Sequence, residues 1–213
     1  MSKKQEDRIE ENFEVIESSL STAEHFIERY KKPLLIALAA IVFIALCVFG
    51  AKKLYFEPRN ERAQDAMYQA VNAFEAGDYD LALKGNGNVM GLLDVMDEYG
   101  STDAANLANM YVGIIYLHQG KFEDAVKYLK DFNTDEQIMK SVAAGALGDA
   151  YAELGKLDKA LDQYEDASDA GVAMSAPRYL TKAAVIYESQ GKWDKAIEKY
   201  EDIKYKYPMS MEA

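Results

Sequence analysis

The sequence predicts an all-α chain in which a single transmembrane helix precedes an α-solenoid of about four helix pairs. Two observations lead to this prediction, namely one uncharged apolar run and a six-residue motif that recurs at regular intervals. The composition agrees with it, because the 213 residues include only 13 glycines and 4 prolines, the two residue types that disfavour helix interiors most.

Charge and residue usage exclude several function classes. The formal net charge of −12 argues against a nucleic-acid partner, because phosphate groups are bound by basic surfaces. The chain has two histidines, His25 and His118, which are too few for a multi-histidine metal site. Its one cysteine, Cys47, leaves no intramolecular disulfide possible. We therefore expect no cofactor, no metal and no small-molecule substrate.

The first 32 residues form an acidic amphipathic segment. Its apolar positions are separated alternately by four and three residues, which is typical of a helix that packs along a seam. The seam consists of Ile9, Phe13, Ile16, Leu20, Ala23, Ile27 and Tyr30. Glutamates dominate the rest of this helix, which favours a partner helix over an anionic lipid surface. A short helix that simply lies on whatever is nearby is the open alternative.

The uncharged run covers residues 33–51 and reads PLLIALAAIVFIALCVFGA. As a helix it would span about 28 Å, close to the hydrocarbon thickness of a bilayer. Lysine pairs flank it on both sides. A cleaved signal peptide does not fit, because the preceding residues are acidic, and Leu46 before Cys47 argues against lipidation. The run is therefore interpreted as an uncleaved anchor, whose orientation the similar lysine and arginine content of its two flanks leaves open.

A hexamer recurs along the rest of the chain. It reads GKFEDA at 120–125, GKLDKA at 155–160 and GKWDKA at 191–196, with a looser GDYDLA at 77–82. A small residue and then an aromatic one precede each of the three full copies, in the pairs Gly113 and Tyr116, Gly148 and Tyr151, and Ala184 and Tyr187. This pattern resembles the tetratricopeptide repeat, a pair of antiparallel helices that stacks on its neighbours. The hexamer is then the turn inside each pair, and its glycine ends the first helix in a left-handed conformation.

The first repeat is longer than the others. The extra residues lie at 84–100, where "GNGN" breaks a helix that we expect to resume over 91–99 with Leu92, Leu93 and Met96 turned inward. Four segments are predicted in all: 1–32, the transmembrane helix 33–51, a juxtamembrane linker at 52–62 and the repeat domain 63–213. Because repeat arrays close with a solvated cap, Tyr200 and Ile203 are expected to be covered by a further segment or another molecule.

The resemblance also implies a concave protein-binding groove lined by the first helix of each repeat. Its apolar positions are Met67, Val71, Phe74, Leu107, Met110, Ile114, Leu117 and Val142. A mixed set follows, made of Gly145, Asp149, Ala152, Arg178, Thr181, Val185 and Glu188. The alternative is that the apolar set packs inside the molecule. No catalytic constellation is visible, so we do not expect an enzyme.

The order of segments resembles that of the YfgM-like bacterial membrane proteins, which are ancillary subunits of the Sec translocon. The resemblance implies a single-pass protein of the bacterial inner membrane with a cytoplasmic N-terminus and periplasmic repeats. It also implies a scaffold or chaperone role in protein transport, with the translocon, a membrane-anchored periplasmic prolyl isomerase and secreted clients as partners. A cytoplasm-facing adaptor or regulator and an outer-membrane assembly factor are the alternatives.

Overall fold

The structure is a computed structural model that describes residues 30–33, 35–170 and 172–213. The apolar seam of the N-terminal segment, at Ile9, Phe13, Ile16, Leu20 and Ile27, lies outside the described residues. The chain divides into two compact units, Met1–Phe56 and Glu57–Ala213.

The first unit contains the predicted membrane segment. Residues 30–33 and 35–51 are helical (α1), and a π-helical turn follows at Lys52–Phe56. This helix is long and apolar enough to cross a membrane. Its large side chains point outward, and Ile36 and Phe43 are 71% and 67% exposed. A helix that is apolar on all sides and uncovered by protein has the surface that lipid requires.

The second unit is built from helices joined by short turns, and the described residues contain no β-strand apart from one isolated bridge. The helices are α2 (Glu57–Glu75), α3 (Tyr79–Lys84), α4 (Leu92–Tyr99), α5 (Asp103–His118), α6 (Phe122–Asp131), α7 (Gln137–Glu153), α8 (Leu157–Asp169), α9 (Ala176–Ser189) and α10 (Trp193–Lys206). α2 begins within the stretch 52–62 for which the sequence predicts a linker.

The helices pack as consecutive pairs. The pairs are α2 with α3, α5 with α6, α7 with α8 and α9 with α10. The first helix packs against the next first helix from α2 to α5 and from α5 to α7, and each second helix packs against the first helix that follows it. Each pair thus buries its apolar face against its neighbours, which is the arrangement of a solenoid. The predicted all-α fold with four helix pairs is confirmed.

Each pair turns on a glycine with a positive φ, at Gly77, Gly120, Gly155 and Gly191. All four turns make the same two bonds, and Gly155 is representative. Its N–H donates to the carbonyl of Ala152 at 2.9 Å, and the N–H of Lys156 donates to Tyr151 at 2.9 Å. These are the two bonds of a Schellman motif, which satisfies the last carbonyls of the first helix. The recurring hexamer is therefore a helix-ending motif.

A different class of glycine lies inside the helices. A methyl group on Gly113 would come within 2.5 Å of Leu129 Cγ, and one on Gly148 within 2.6 Å of the Tyr164 ring. Leu129 and Tyr164 belong to the second helix of the same pair. The small residue before each hexamer therefore lets the two helices of a pair approach closely.

The inserted segment 84–100 breaks the second helix of the first pair. Asn86 Oδ1 accepts bonds from the N–H groups of Asn88 and Val89, at 2.8 and 2.9 Å, and shapes the loop that leads into α4. α4 then packs against α2, α3 and α5. The predicted return to helix is confirmed, with Leu92 fully buried. Leu93 and Met96 are half-buried, and Val95, which the sequence analysis did not single out, is fully buried between them.

Candidate protein-binding groove

An open cavity of about 750 Å³ lies where the second, third and fourth helix pairs meet. Most of its wall comes from the first helices α5, α7 and α9. We call it the groove pocket. Its lining consists of Leu117, His118, Gly120, Phe122, Asp149, Ala152, Glu153, Tyr164, Thr181, Lys182, Val185 and Ile186. The pocket is a concave and mainly apolar site with a few polar groups, which is the form that binding sites take in proteins.

A polar cluster lies in the wall of the groove pocket. Lys182 Nζ is 2.6 and 2.7 Å from the two carboxylate oxygens of Asp149. The hydroxyl of Tyr164 donates to Asp149 Oδ1 at 2.7 Å. The ring of Tyr179 stacks on that of Tyr164 with centroids 6.3 Å apart, and Lys182 lies over both rings. We call Asp149, Tyr164, Tyr179 and Lys182 the Asp149 cluster.

The cluster joins two helix pairs. Asp149 and Tyr164 belong to the third pair, whereas Tyr179 and Lys182 belong to the fourth. Gly145 makes this possible, because a side chain there would collide with the Tyr179 ring. The carboxylate of Asp149 thus accepts hydrogen bonds from Tyr164 of its own pair and from Lys182 of the next pair. Hydrogen bonds to a charged group are stronger than those between neutral groups.

Burial and the Asp149 carboxylate keep the two tyrosines protonated. Burial raises the pKa of Tyr164 far above its ordinary value, and the hydrogen bond to Asp149 raises it further. Burial also raises the pKa of Tyr179, with a further contribution from the charge of Asp149 and an opposing one from Arg178. At neutral pH the cluster therefore contains neutral hydroxyls and one ion pair. Its geometry orders the pocket wall, and it presents no activated nucleophile.

Aromatic side chains extend the groove toward the first helix pair. Tyr79 stacks on His118 with ring centroids 5.1 Å apart. The ring centroid of Phe74 lies 5.8 Å from that of Tyr79. It lies 5.0 Å from that of Tyr111, which Phe74 meets edge-on. Since His118 also lines the groove pocket, this aromatic group is continuous with it. Aromatic and apolar surface of this kind suits side chains of a protein partner.

The structure distributes the eight predicted apolar positions over three environments. Met67 and Met110 are each only 7% exposed and belong to the core. Val71, Phe74, Leu107 and Ile114 are half-buried against that core. Leu117 lines the groove pocket, and Val142 is exposed on α7. The burial of the two methionines corresponds to the alternative of packing inside the molecule, and binding by the set stays a prediction.

The mixed set lies nearer the pocket. Asp149, Ala152, Thr181 and Val185 all line it, and Val185 is 52% exposed. Sequence reasoning missed Lys182, because the predicted positions on α9 follow a spacing of three and four residues that passes over it. It also did not assign Tyr164 to the groove, although Tyr164 lines the pocket. The sequence gives no signal for Lys182, because its contact with Asp149 joins two different helices, α9 and α7. The long lysine side chain spans the distance between them.

The groups that line the pocket suit the binding of another protein. Within residues 30–33, 35–170 and 172–213, no group of three histidines, cysteines, aspartates or glutamates could hold a metal ion. The groups that line the pocket can donate hydrogen bonds, accept them and contact apolar surface. These are the interactions by which proteins bind other proteins.

Comparison with known proteins supports this interpretation. Residues 146–209 match the tetratricopeptide repeat family, and they cover most of the third and fourth helix pairs, including the whole Asp149 cluster. No curated protein matches the chain. Residues 146–209 are thus similar to tetratricopeptide repeats, which generally mediate binding to other proteins, and the second unit has the fold of an α-solenoid of helix pairs.

Proposed function

We propose that this chain is a membrane-anchored scaffold that binds proteins in the groove pocket and assists protein secretion. It acts as an accessory of the Sec translocon or as a chaperone for clients that emerge from it. The observation that carries the proposal is the open, mainly apolar cavity on the first-helix side of the repeats. The same chain has a helix that is long and apolar enough to cross a membrane.

The exposed side chains of the pocket favour extended or partly folded partners. Val185 offers apolar surface, and Thr181 and Glu153 lie close by along the same wall. A polypeptide that has not completed its folding exposes apolar side chains, and these can be buried against such a wall. Weak contacts distributed along a groove allow many different clients to bind and to leave.

The proposed topology follows from the resemblance to YfgM-like proteins. The N-terminus is in the cytoplasm, α1 crosses the bacterial inner membrane, and the repeats lie in the periplasm. There they meet the translocon, a membrane-anchored periplasmic prolyl isomerase and secreted clients. The apolar seam of the acidic N-terminal segment provides a separate contact for a partner helix on the cytoplasmic side.

Protease accessibility tests the topology. Intact spheroplasts of the native host are treated with protease, and fragments of the chain are detected before and after lysis. The proposal predicts that the repeats are digested from outside, while the N-terminal segment is protected. Repeats that are digested only after lysis would favour the cytoplasm-facing adaptor. A repeat domain that fractionates with the outer membrane would favour the assembly factor.

A further inference from the structure

The π-helical turn at Lys52–Phe56 exposes its side chains on all sides of the helix. A π-helix closes its backbone hydrogen bonds between residues five apart, so the five residues of this segment complete about one turn. Their side chains therefore surround the helix axis and do not share one face. All five are exposed, and Leu54, Tyr55 and Phe56 are 82%, 58% and 46% exposed. We call Lys52–Phe56 the π turn.

The π turn begins where the uncharged run at 33–51 ends. Large side chains of that run are exposed in the same way, and Val48 and Phe49 are 64% and 63% exposed. As a helix the run spans about 28 Å, close to a hydrocarbon core of about 30 Å. The π turn adds about 6–7 Å, and each headgroup layer of a bilayer is roughly 5–7 Å thick. When α1 crosses a membrane, the π turn therefore lies in one headgroup layer.

The apolar and aromatic side chains of the π turn suit this depth. The rings of Tyr55 and Phe56 pack edge-on with centroids 5.2 Å apart. Tyrosine combines an apolar ring with a polar hydroxyl, and it is enriched at membrane–water interfaces for this reason. Exposed apolar patches of this kind mark contacts with proteins or membranes. Since the π turn continues directly from an apolar helix, lipid is the molecule that covers it.

Charge selects the kind of lipid. Lys52 and Lys53 are the two charged residues of the π turn, and the run before them has no charge. Within the described part of the chain, neither lysine forms an ion pair. The next carboxylate is that of Glu57, which begins α2 in the second unit. Each lysine near an anionic leaflet strengthens association about fivefold, so the pair favours anionic lipids over zwitterionic ones.

We propose that the π turn is a binding site for anionic phospholipids. Lys52 and Lys53 contact the lipid phosphate groups, while Tyr55 and Phe56 lie at the boundary with the acyl chains. The inference rests on the proposed membrane anchor and is independent of the role in secretion. It gives a lipid-binding role to the first five residues of the stretch at 52–62 that the sequence predicts as a linker. Lipid bound there holds this end of α1 at a fixed depth in the bilayer.

Tryptophan quenching by brominated lipids tests the proposal in the full-length protein. Trp193, the single tryptophan of the chain, is replaced by phenylalanine, and Tyr55→Trp then places a reporter in the π turn. The protein is reconstituted in nanodiscs of phosphatidylcholine and phosphatidylglycerol, with bromine near the glycerol end of the acyl chains of one lipid or the other. Quenching measures the relative association constant of each lipid at position 55.

We expect an association constant for phosphatidylglycerol about fivefold or more above that for phosphatidylcholine. Replacing both Lys52 and Lys53 by glutamine should bring this ratio close to one. The matched control replaces Lys31 and Lys32, at the other end of α1, and should leave the ratio at position 55 unchanged. A ratio near one in the protein with all four lysines overturns the proposal, and so does a preference that survives the loss of Lys52 and Lys53.

A second reporter separates failure of this proposal from failure of the membrane anchor. Val42→Trp, in the middle of the run 33–51, is made in the same tryptophan-free background and measured with lipids brominated near the ends of their acyl chains. Quenching at position 42 without quenching at position 55 would mean that protein covers the π turn, which overturns the lipid site and leaves the anchor in place. An absence of quenching at both positions would overturn the anchor and the lipid site together.

Discussion

Lys182 binds both carboxylate oxygens of Asp149, at 2.6 and 2.7 Å, across the junction between the third and fourth helix pairs. The contact fixes one wall of the groove pocket, since both residues line it. Both side chains are about one-third exposed, so water screens the pair in part. The pair therefore sets the relative position of two repeats more than it stabilises the fold.

Replacing Lys182 by methionine tests how much this contact contributes to the free energy of unfolding. The stem of the side chain stays, while the charge and its bonds to Asp149 are lost. We expect the free energy of unfolding to fall by about 1 kcal/mol or less, which is the range of partly exposed ion pairs. Urea denaturation of the full chain in detergent micelles measures it, with Lys140→Met as the control on an exposed lysine. Equal losses for the two variants would mean that the ion pair has no stabilising role.

The pKa of Tyr164 predicts how stability depends on pH. Its folded-state pKa lies above the ordinary value of 10.0, so its contribution is complete below pH 10. Above pH 10 the unfolded chain loses the proton while the folded chain keeps it, and stability falls as pH rises. The melting temperature should therefore decrease between pH 10 and 12, and the decrease should be shallower in Tyr164→Phe.

The quantity to compare is the slope of melting temperature against pH, because Tyr164→Phe also removes the hydrogen bond to Asp149 at every pH. Tyr68→Phe serves as the control, since the Tyr68 side chain is 67% exposed on α2. Parallel curves for the wild type and Tyr164→Phe would show that Tyr164 is not the group that couples stability to pH.

Gly155→Ala tests the turn geometry. Gly155 has a φ of +68°, and no atom lies within 4 Å of where a Cβ would be. Any loss of stability in the alanine variant therefore comes from the backbone conformation and not from a steric clash. We expect a loss of about 1 kcal/mol in the free energy of unfolding. Gly155→Asn should lose less, because asparagine tolerates the left-handed region. Thermal unfolding followed by circular dichroism measures both, and an alanine variant as stable as the wild type would refute the need for a positive φ.

Gly148→Ala tests the close approach of α7 and α8. The added methyl group would lie 2.6 Å from the ring of Tyr164, so the two helices must separate or the ring must move. We expect a loss of about 1–3 kcal/mol, the usual cost of overpacking. Gly87→Ala is the matched control, because its Cβ would meet open space. A Gly148→Ala variant that is no less stable than Gly87→Ala would contradict the close approach of α7 and α8.

Much of the fold could be predicted because its determinants are local. Gly155 ends a helix through its own φ, and Gly148 sets a helix distance through its own lack of a side chain. Residues of both kinds recur at fixed spacing, so the pattern can be recognised in the sequence. The break at 84–100 was predicted for the same reason, since Asn86 and the glycines around it specify a loop.

The groove was less predictable because its walls depend on several helices at once. Met110 occupies a first-helix position and was assigned to the groove, yet it is 7% exposed because neighbouring pairs cover it. An aspartate at Met110 would therefore disrupt the core rather than test binding. Lys182 reaches Asp149 on another repeat, and no local pattern specifies that contact. Val185, which is exposed and lines the pocket, is the better position for a test.

The most direct test of protein binding in the groove pocket is site-specific photocrosslinking in the native host. A photoreactive amino acid replaces Val185 in the pocket or, as the control, the exposed Tyr68 on α2, and the adducts are identified by mass spectrometry. We expect adducts with translocon subunits or secreted proteins at Val185 and few at Tyr68. Equal adducts at the two positions, or none at Val185, would contradict the claim that this pocket binds proteins.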